Sequence, residues 1–110
     1  MARFVKGDVV VVPFPFSDLT QSKKRPAWVV AGLRGEDLIL CQIISQSISD
    51  NYAIAVENSD FDLGSLRQSS NIRPNRLFTA DQQIILSKVG RVKAEKLDEV
   101  IAKLIEILQQ

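Results

Sequence analysis

Hydrophobic positions follow two rhythms along this chain, and the rhythm changes near residue 93. Before that point the apolar residues come in short runs. Val9–Val12 is β-branched and unbroken after Gly7-Asp8, which suits a strand buried on both faces better than a half-buried one. Pro13 and Pro15 should end it, since proline cannot donate to a ladder. Phe14 and Phe16 stand two apart, so an extended chain turns both the same way. They either pack the rim of the core or offer a platform on which a base could stack. Ser17 to Lys24 is polar and reads as a loop. Pro26 then holds Arg25 in extended backbone at the entrance to a second strand, Ala27 to Leu33. Arg34-Gly35-Glu36 is a tight turn, and Asp37 to Ile44 returns as a third strand. After the polar stretch Ser45 to Tyr52 comes a short fourth strand, Ala53 to Val56. An acidic loop with Glu57, Asp60 and Asp62 closes at Gly64. Leu66, Ile72, Leu77 and Phe78 are isolated apolar anchors suited to short strands and corners. Ile84 to Val92 reads as a last strand, bent or bulged at Gly90.

From about Lys93 the spacing becomes three and four. Leu97, Val100, Ile101, Leu104, Ile105 and Leu108 form one stripe, and charged residues fill the other positions, as in an amphipathic helix. Its expected role is to dock on the strands. The resulting fold class is mainly β with a C-terminal helix: a small, strongly curved β-barrel of the SH3-like kind. The expected layout is one domain over residues 1–110, with the barrel at about 5–92 and the helix at about 93–109.

Composition narrows the chemistry. The 110 residues are 45% hydrophobic and 25% charged, as expected of an ordinary globular protein. The longest apolar run, Val9 to Phe16, falls far short of the roughly 20 residues of a membrane span. No signal peptide is visible, so no membrane partner is expected. A single cysteine, Cys41, rules out an internal disulfide and argues against a structural zinc site. Histidine is absent, which removes the commonest general base and metal ligand. Catalysis would therefore fall to Arg, Lys, carboxylates or hydroxyls. The net charge of +1 hides an uneven distribution: between Leu63 and Lys93 stand six cations (Arg67, Arg73, Arg76, Lys88, Arg91, Lys93) and one anion, Asp81. That tract can form a basic face.

The other cationic cluster is Lys23-Lys24-Arg25-Pro26. By itself such a run is most simply a solvated loop. Here Pro26 restrains Arg25 at the mouth of a strand, and Ser17, Asp18, Thr20 and Ser22 lie in the same loop. A restrained Arg among hydroxyls suits a phosphodiester, because its planar fork can bind two phosphate oxygens at once.

The run GDVVVVPFPFSDLTQSKKRPAWVV resembles the N-terminal signature of the MazF/PemK toxin family, ribosome-independent endoribonucleases of toxin–antitoxin systems. The family pattern is an apolar strand opening with Gly-Asp, a loop of variable length, then Arg-Pro-Ala before a second apolar strand. Ser69 to Asp81 (SSNIRPNRLFTAD) resembles the family's downstream block. These motifs cover about a third of the chain, in the family's order. The resemblance implies the SH3-like barrel of the MazF and CcdB superfamily, a cytoplasmic homodimer with single-stranded mRNA in grooves across it, and a short cognate antitoxin peptide. That antitoxin should carry an acidic, partly disordered tail that competes for the RNA groove.

Position by position, the resemblance makes Arg25 the catalytic arginine. The family's Thr-Ser pair at the end of the third strand becomes Ile44-Ser45; isoleucine donates no hydrogen bond, so either Ser45 takes over, the register slips by one, or activity is reduced. Arg73 matches the arginine of PemK-like members, and Asn75 stands where those members carry an acid. Ser17, Ser22, Lys24, Arg73, Asn75 and Arg76 are the expected RNA-binding residues. The implied reaction needs no metal and no cofactor: a 2′-hydroxyl attacks its own phosphate and leaves 2′,3′-cyclic phosphate and 5′-hydroxyl ends. Ile44 and Asn75 also leave open an alternative on the same fold, a CcdB-like toxin that acts by binding DNA gyrase.

Overall fold

Among the described residues seven antiparallel strands form one sheet in the order β4-β6-β3-β2-β1-β7-β5, and one α-helix follows them. The computed structural model describes residues 4–14, 23–45 and 50–110, without the side chain of Phe14. The strands are β1 (Asp8–Phe14), β2 (Lys23–Gly32), β3 (Asp37–Ile44), β4 (Ile54–Val56), β5 (Phe61–Gly64), β6 (Ser70–Asp81) and β7 (Ser87–Val92); α1 is Ala94–Leu108. The edge strands β4 and β5 do not pair with each other, so the sheet is a half-barrel.

Both faces of the central strands are buried, as the unbroken apolar runs require. On one face Val9, Trp28, Cys41, Ile43 and Ile72 meet Val100 and Leu104 of α1. On the other, Val10, Val12, Ala27, Val29, Leu38, Leu40 and Ala80 form a second cluster, with Phe4, Phe78, Ile84 and Ile85 packed against it. The α1 stripe thus docks as its spacing implies; burying Val100 and Leu104 contributes about 1.5–3 kcal/mol each.

The prolines sit where the ladder is one-sided or interrupted. β1 continues through Pro13, which pairs with Lys24 beyond the last β1–β7 pair, Val11↔Ser87. Pro26 pairs with Val11 just before the first β2–β3 pair, Ala27↔Gln42. At both positions the strand has one open edge, where a missing N–H leaves no partner unmet. Pro13 therefore does not end its strand, and β2 begins at Lys23, four residues before the expected Ala27. The Lys23-Lys24-Arg25 run belongs to a ladder.

Three further elements differ from the sequence expectation. Ile72, Leu77 and Phe78 share one 12-residue strand, β6. Its apolar rhythm is broken because Cys41 pairs with Leu77 while the next residue, Gln42, pairs with Arg73. Pro74, Asn75 and Arg76 bulge out between these pairs. The acidic loop contains the short strand β5, held against β7 by Phe61↔Val92 and Gly64↔Gly90. The last strand starts at Ser87, because Gln82–Ile84 form a 3-10 turn capped by the Asp81 side chain.

Asp8 anchors the sheet's opening. Its buried carboxylate accepts hydrogen bonds from the Val5 N–H at 2.9 Å and from Arg91 Nε at 3.0 Å, with Lys88 Nζ at 3.3 Å. It thereby ties the chain entering β1 to β7. Both cations were part of the basic tract read from the sequence, and here they answer a buried anion.

Candidate functional site

Where β2 begins and β1 and β3 end, the sheet borders a groove of about 700 Å³. β2 contributes Lys24, Arg25 and Pro26, and β3 contributes Ile43 and Ile44, with Ser45 directly after them. The opposite wall is the segment from Ser65 to Gln68, which includes Arg67, together with Ser70 of β6 and Ser87 and Val89 of β7. Arg25 sits opposite Val12 in the β1–β2 ladder, so its backbone is set by the sheet. Lys24, Arg25 and Arg67 are exposed. Among the described residues none of the three pairs with a carboxylate. The groove therefore offers solvated cations beside the hydroxyls of Ser45, Ser65 and Ser87 and several aliphatic side chains, while buried Ser70 donates its own hydroxyl to the Gln68 carbonyl at 3.0 Å. Such a lining suits a chain of phosphates carrying apolar ring faces.

Arg73 and Arg76 line a second cleft of about 380 Å³, with Gln42, Leu77 and Phe78. Gln42 pairs with Ala27 of β2 on one side and with Arg73 of β6 on the other. Paired residues share a face, and Arg25 is two residues from Ala27, so Arg25 and Arg73 belong to the same face. They lie two strands and one pleat step apart, roughly 12 Å between Cα atoms at ideal strand spacing. Asn75, on the β6 bulge, lines neither cavity and contributes a side-chain hydrogen bond to Asp50.

Asp50 ties this region together. Its Oδ2 lies 3.1 Å from both Nε and Nη2 of Arg73. The Tyr52 backbone N–H donates to Oδ1 at 2.9 Å. That backbone hydrogen bond, with the Arg73 pair and Asn75, holds the Asp50 carboxyl below its ordinary pKa of 3.8 against the opposing effect of desolvation. Cys41 is buried in the core, and burial pushes its thiol up to about 12, so it is no nucleophile.

Of the residues singled out from sequence, the fold gathers Lys24, Arg25 and Ser45 at one groove and Arg73 and Arg76 at its neighbour. Ile44 borders the same groove as Arg25. Ser17 and Ser22 lie outside the described residues, as does Phe16. Sequence reasoning missed Ser65, Ser70, Ser87 and Asp50 as members of the site. Arg67 had a signal in the basic tract; the serines and Asp50 had none, because only strand pairing brings them here.

Comparison with known proteins places this geometry among relatives. Residues 5–108 match the model of a family described as PemK-like, MazF-like toxin of type II toxin–antitoxin system. No curated protein matches the chain. A mycobacterial endoribonuclease solved with its cognate antitoxin superposes with TM-score 0.76 at 12% identity, over 96% of this chain and 95% of that one. A MazE–MazF structure from Deinococcus radiodurans gives 0.77 at 18% identity over 97% of each chain, and MazF from the same organism 0.73 at 20% over 97% of each. At such identities the superpositions show a shared fold.

Proposed function

Because the chain belongs to the PemK-like, MazF-like toxins of type II toxin–antitoxin systems, we propose that it is an mRNA interferase: an endoribonuclease that cleaves single-stranded RNA in the cytoplasm. The observation that carries this reading is the groove in which Arg25, Lys24 and Arg67, none paired with a carboxylate among the described residues, stand beside Ser45, Ser65 and Ser87. Endoribonucleases among the structural neighbours support the same activity. An exposed row of cations and hydroxyls fits a polyanion better than it fits the apolar core of a protein interface.

The reaction is a transesterification within the substrate. The 2′-hydroxyl adjoining the scissile phosphate attacks phosphorus and gives up its proton to solvent, the bond to the 5′-oxygen of the next nucleotide breaks, and that oxygen takes up a proton in turn, so the proton count is unchanged. The products are a 2′,3′-cyclic phosphate and a 5′-hydroxyl. Since the substrate supplies the nucleophile, the protein has to position the phosphate and stabilise the added negative charge. Arg25 does this with its guanidinium donors. Ser45 donates to a phosphoryl oxygen in place of the hydroxyl that Ile44 lacks. Lys24 holds a neighbouring phosphate, and Arg73, Asn75 and Arg76 stand where the RNA continues across the β6 bulge. Ser17 and Ser22 complete the binding set in this reading.

The protein acts as a homodimer, and its partner is an antitoxin whose acidic segment occupies the cationic groove. Antitoxin complexes of the mycobacterial and Deinococcus neighbours support that partner. Incubation of labelled single-stranded RNA with the protein, followed by end-group analysis, tests the proposal. Cyclic-phosphate ends are expected from the wild type. Arg25→Ala should lose at least about a hundred-fold in rate, the usual cost of one transition-state donor, with its circular dichroism and sedimentation unchanged. Full activity in a folded Arg25→Ala variant would overturn the assignment.

A further inference from the structure

We infer that Asp50 is a positioning residue for RNA: it holds Arg73 so that Arg73 and Arg76 form a preset phosphate clamp beside the Arg25 groove. The inference rests on the endoribonuclease reading and adds a residue to it. The ligand is one nucleotide unit of the same strand, flanking the scissile position.

Asp50 is anchored independently of Arg73. Its Oδ1 takes the Tyr52 N–H at 2.9 Å, and its carbonyl takes the Ala53 N–H at 3.2 Å, so the turn entering β4 fixes it. β4 is itself registered on β6 through Ile54↔Ile72, the neighbour of Arg73. The carboxylate therefore reaches Arg73 from a rigid base. The pair is largely shielded from solvent, with side chains 19% exposed for Arg73 and 10% for Asp50. Ordinary surface pairs contribute little, but a pair this sheltered fixes a rotamer.

The contact also has a direction. Nε and Nη2 of Arg73 both approach Oδ2. A guanidinium carries five N–H donors, so three remain that Asp50 does not use. The same side chain lines the cleft with Arg76, Gln42, Leu77 and Phe78. Two guanidiniums next to an aromatic and an aliphatic side chain match a phosphate and its adjoining base. The bulge of Pro74 to Arg76 is what brings both arginines to one cleft.

Cleavage of a labelled single-stranded RNA by wild type, Asp50→Ala, Asp50→Asn, Arg73→Ala and the Asp50→Ala/Arg73→Ala double variant tests this, with melting temperature measured for each. Asp50→Ala should raise KM by about ten-fold, the scale of losing one charge-assisted contact, while kcat moves far less. Arg73→Ala should do the same, and the double variant should be no worse than Arg73→Ala alone. Asp50→Asn keeps an acceptor and should recover part of the loss. If Asp50 merely neutralises Arg73, its removal will lower KM, which overturns the inference. So would an unchanged KM in a folded Asp50 variant. A wild type that does not cleave RNA defeats the nuclease reading and this inference together, whereas an active wild type with an indifferent Asp50 defeats the inference alone.

Discussion

Gly64 and Gly35 both adopt positive φ, +71° and +80°, yet their surroundings are opposite. A Cβ at Gly35 would meet nothing within 4 Å. A Cβ at Gly64 would overlap the Val89 carbonyl oxygen and stand 2.8 Å from the Gly90 Cα and 2.9 Å from the Val89 carbonyl carbon. Gly35→Ala therefore costs only the left-handed backbone penalty, about 1–2 kcal/mol. Gly64→Ala costs the same and in addition forces β5 away from β7. That weakens the Leu63↔Arg91 and Gly64↔Gly90 pairings. Two backbone hydrogen bonds at about 0.5–1.5 kcal/mol each, with loosened packing around buried Phe61, bring the total to about 3–5 kcal/mol. For a domain of this size about 4 °C of melting temperature accompanies each kcal/mol. The expected losses are thus about 4–8 °C for Gly35→Ala and about 12–20 °C for Gly64→Ala. Paired urea titrations and thermal melts of the two variants provide the comparison. Because Ser65 and Arg67 follow Gly64 directly, Gly64→Ala should also weaken RNA cleavage below its midpoint, while Gly35→Ala should not. Equal destabilisation of the two variants, within about 0.5 kcal/mol of each other, would refute the close approach of β5 to β7 as the reason for a glycine at 64.

Asp8→Ala should destabilise by about 2–4 kcal/mol, read by urea titration; the lower end reflects Lys88 and Arg91, which are partly exposed and can rehydrate. Cys41, with its thiol raised from 9.0 to about 12, should resist an aromatic disulfide reagent in the native state and react stoichiometrically once the chain is unfolded. The unfolded thiol ionises first as pH rises, so the stability linked to Cys41 is complete below about pH 9 and falls between about 9 and about 12. Arg67→Ala should reduce the salt dependence of RNA binding by about 0.7 in log–log slope, measured by fluorescence anisotropy from low to moderate salt; an unchanged slope would remove Arg67 from the phosphate contacts.

Much of the architecture was written in local pattern. Unbroken apolar runs at Val9–Val12 and Ala27–Val30 imply strands buried on both faces, and the structure has a cluster on each. The three- and four-residue spacing after Lys93 specifies α1 and the stripe it buries. Arg25, Ser45 and the family to which they point were legible because the Gly-Asp and Arg-Pro-Ala motifs are contiguous in sequence.

What local pattern could not carry depended on which strand lies beside which. Pro13 and Pro26 read as strand breakers until the ladder shows that each has one open edge. β6 is obscured in the sequence because a three-residue bulge shifts its alternation midway. Lys88 and Arg91 look like part of a basic face, and only a fold that buries Asp8 beside them pairs both with a carboxylate. Asp50 and Arg73 are separated by 23 positions, and their pairing depends on β4 lying along β6. Sequence alone determined the long apolar strands, the C-terminal helix and the candidate arginine, because periodicity and contiguous motifs are local properties. The tertiary structure decided which cations remain free for a phosphate and which are held by a carboxylate, because an ion pair depends on distance in space.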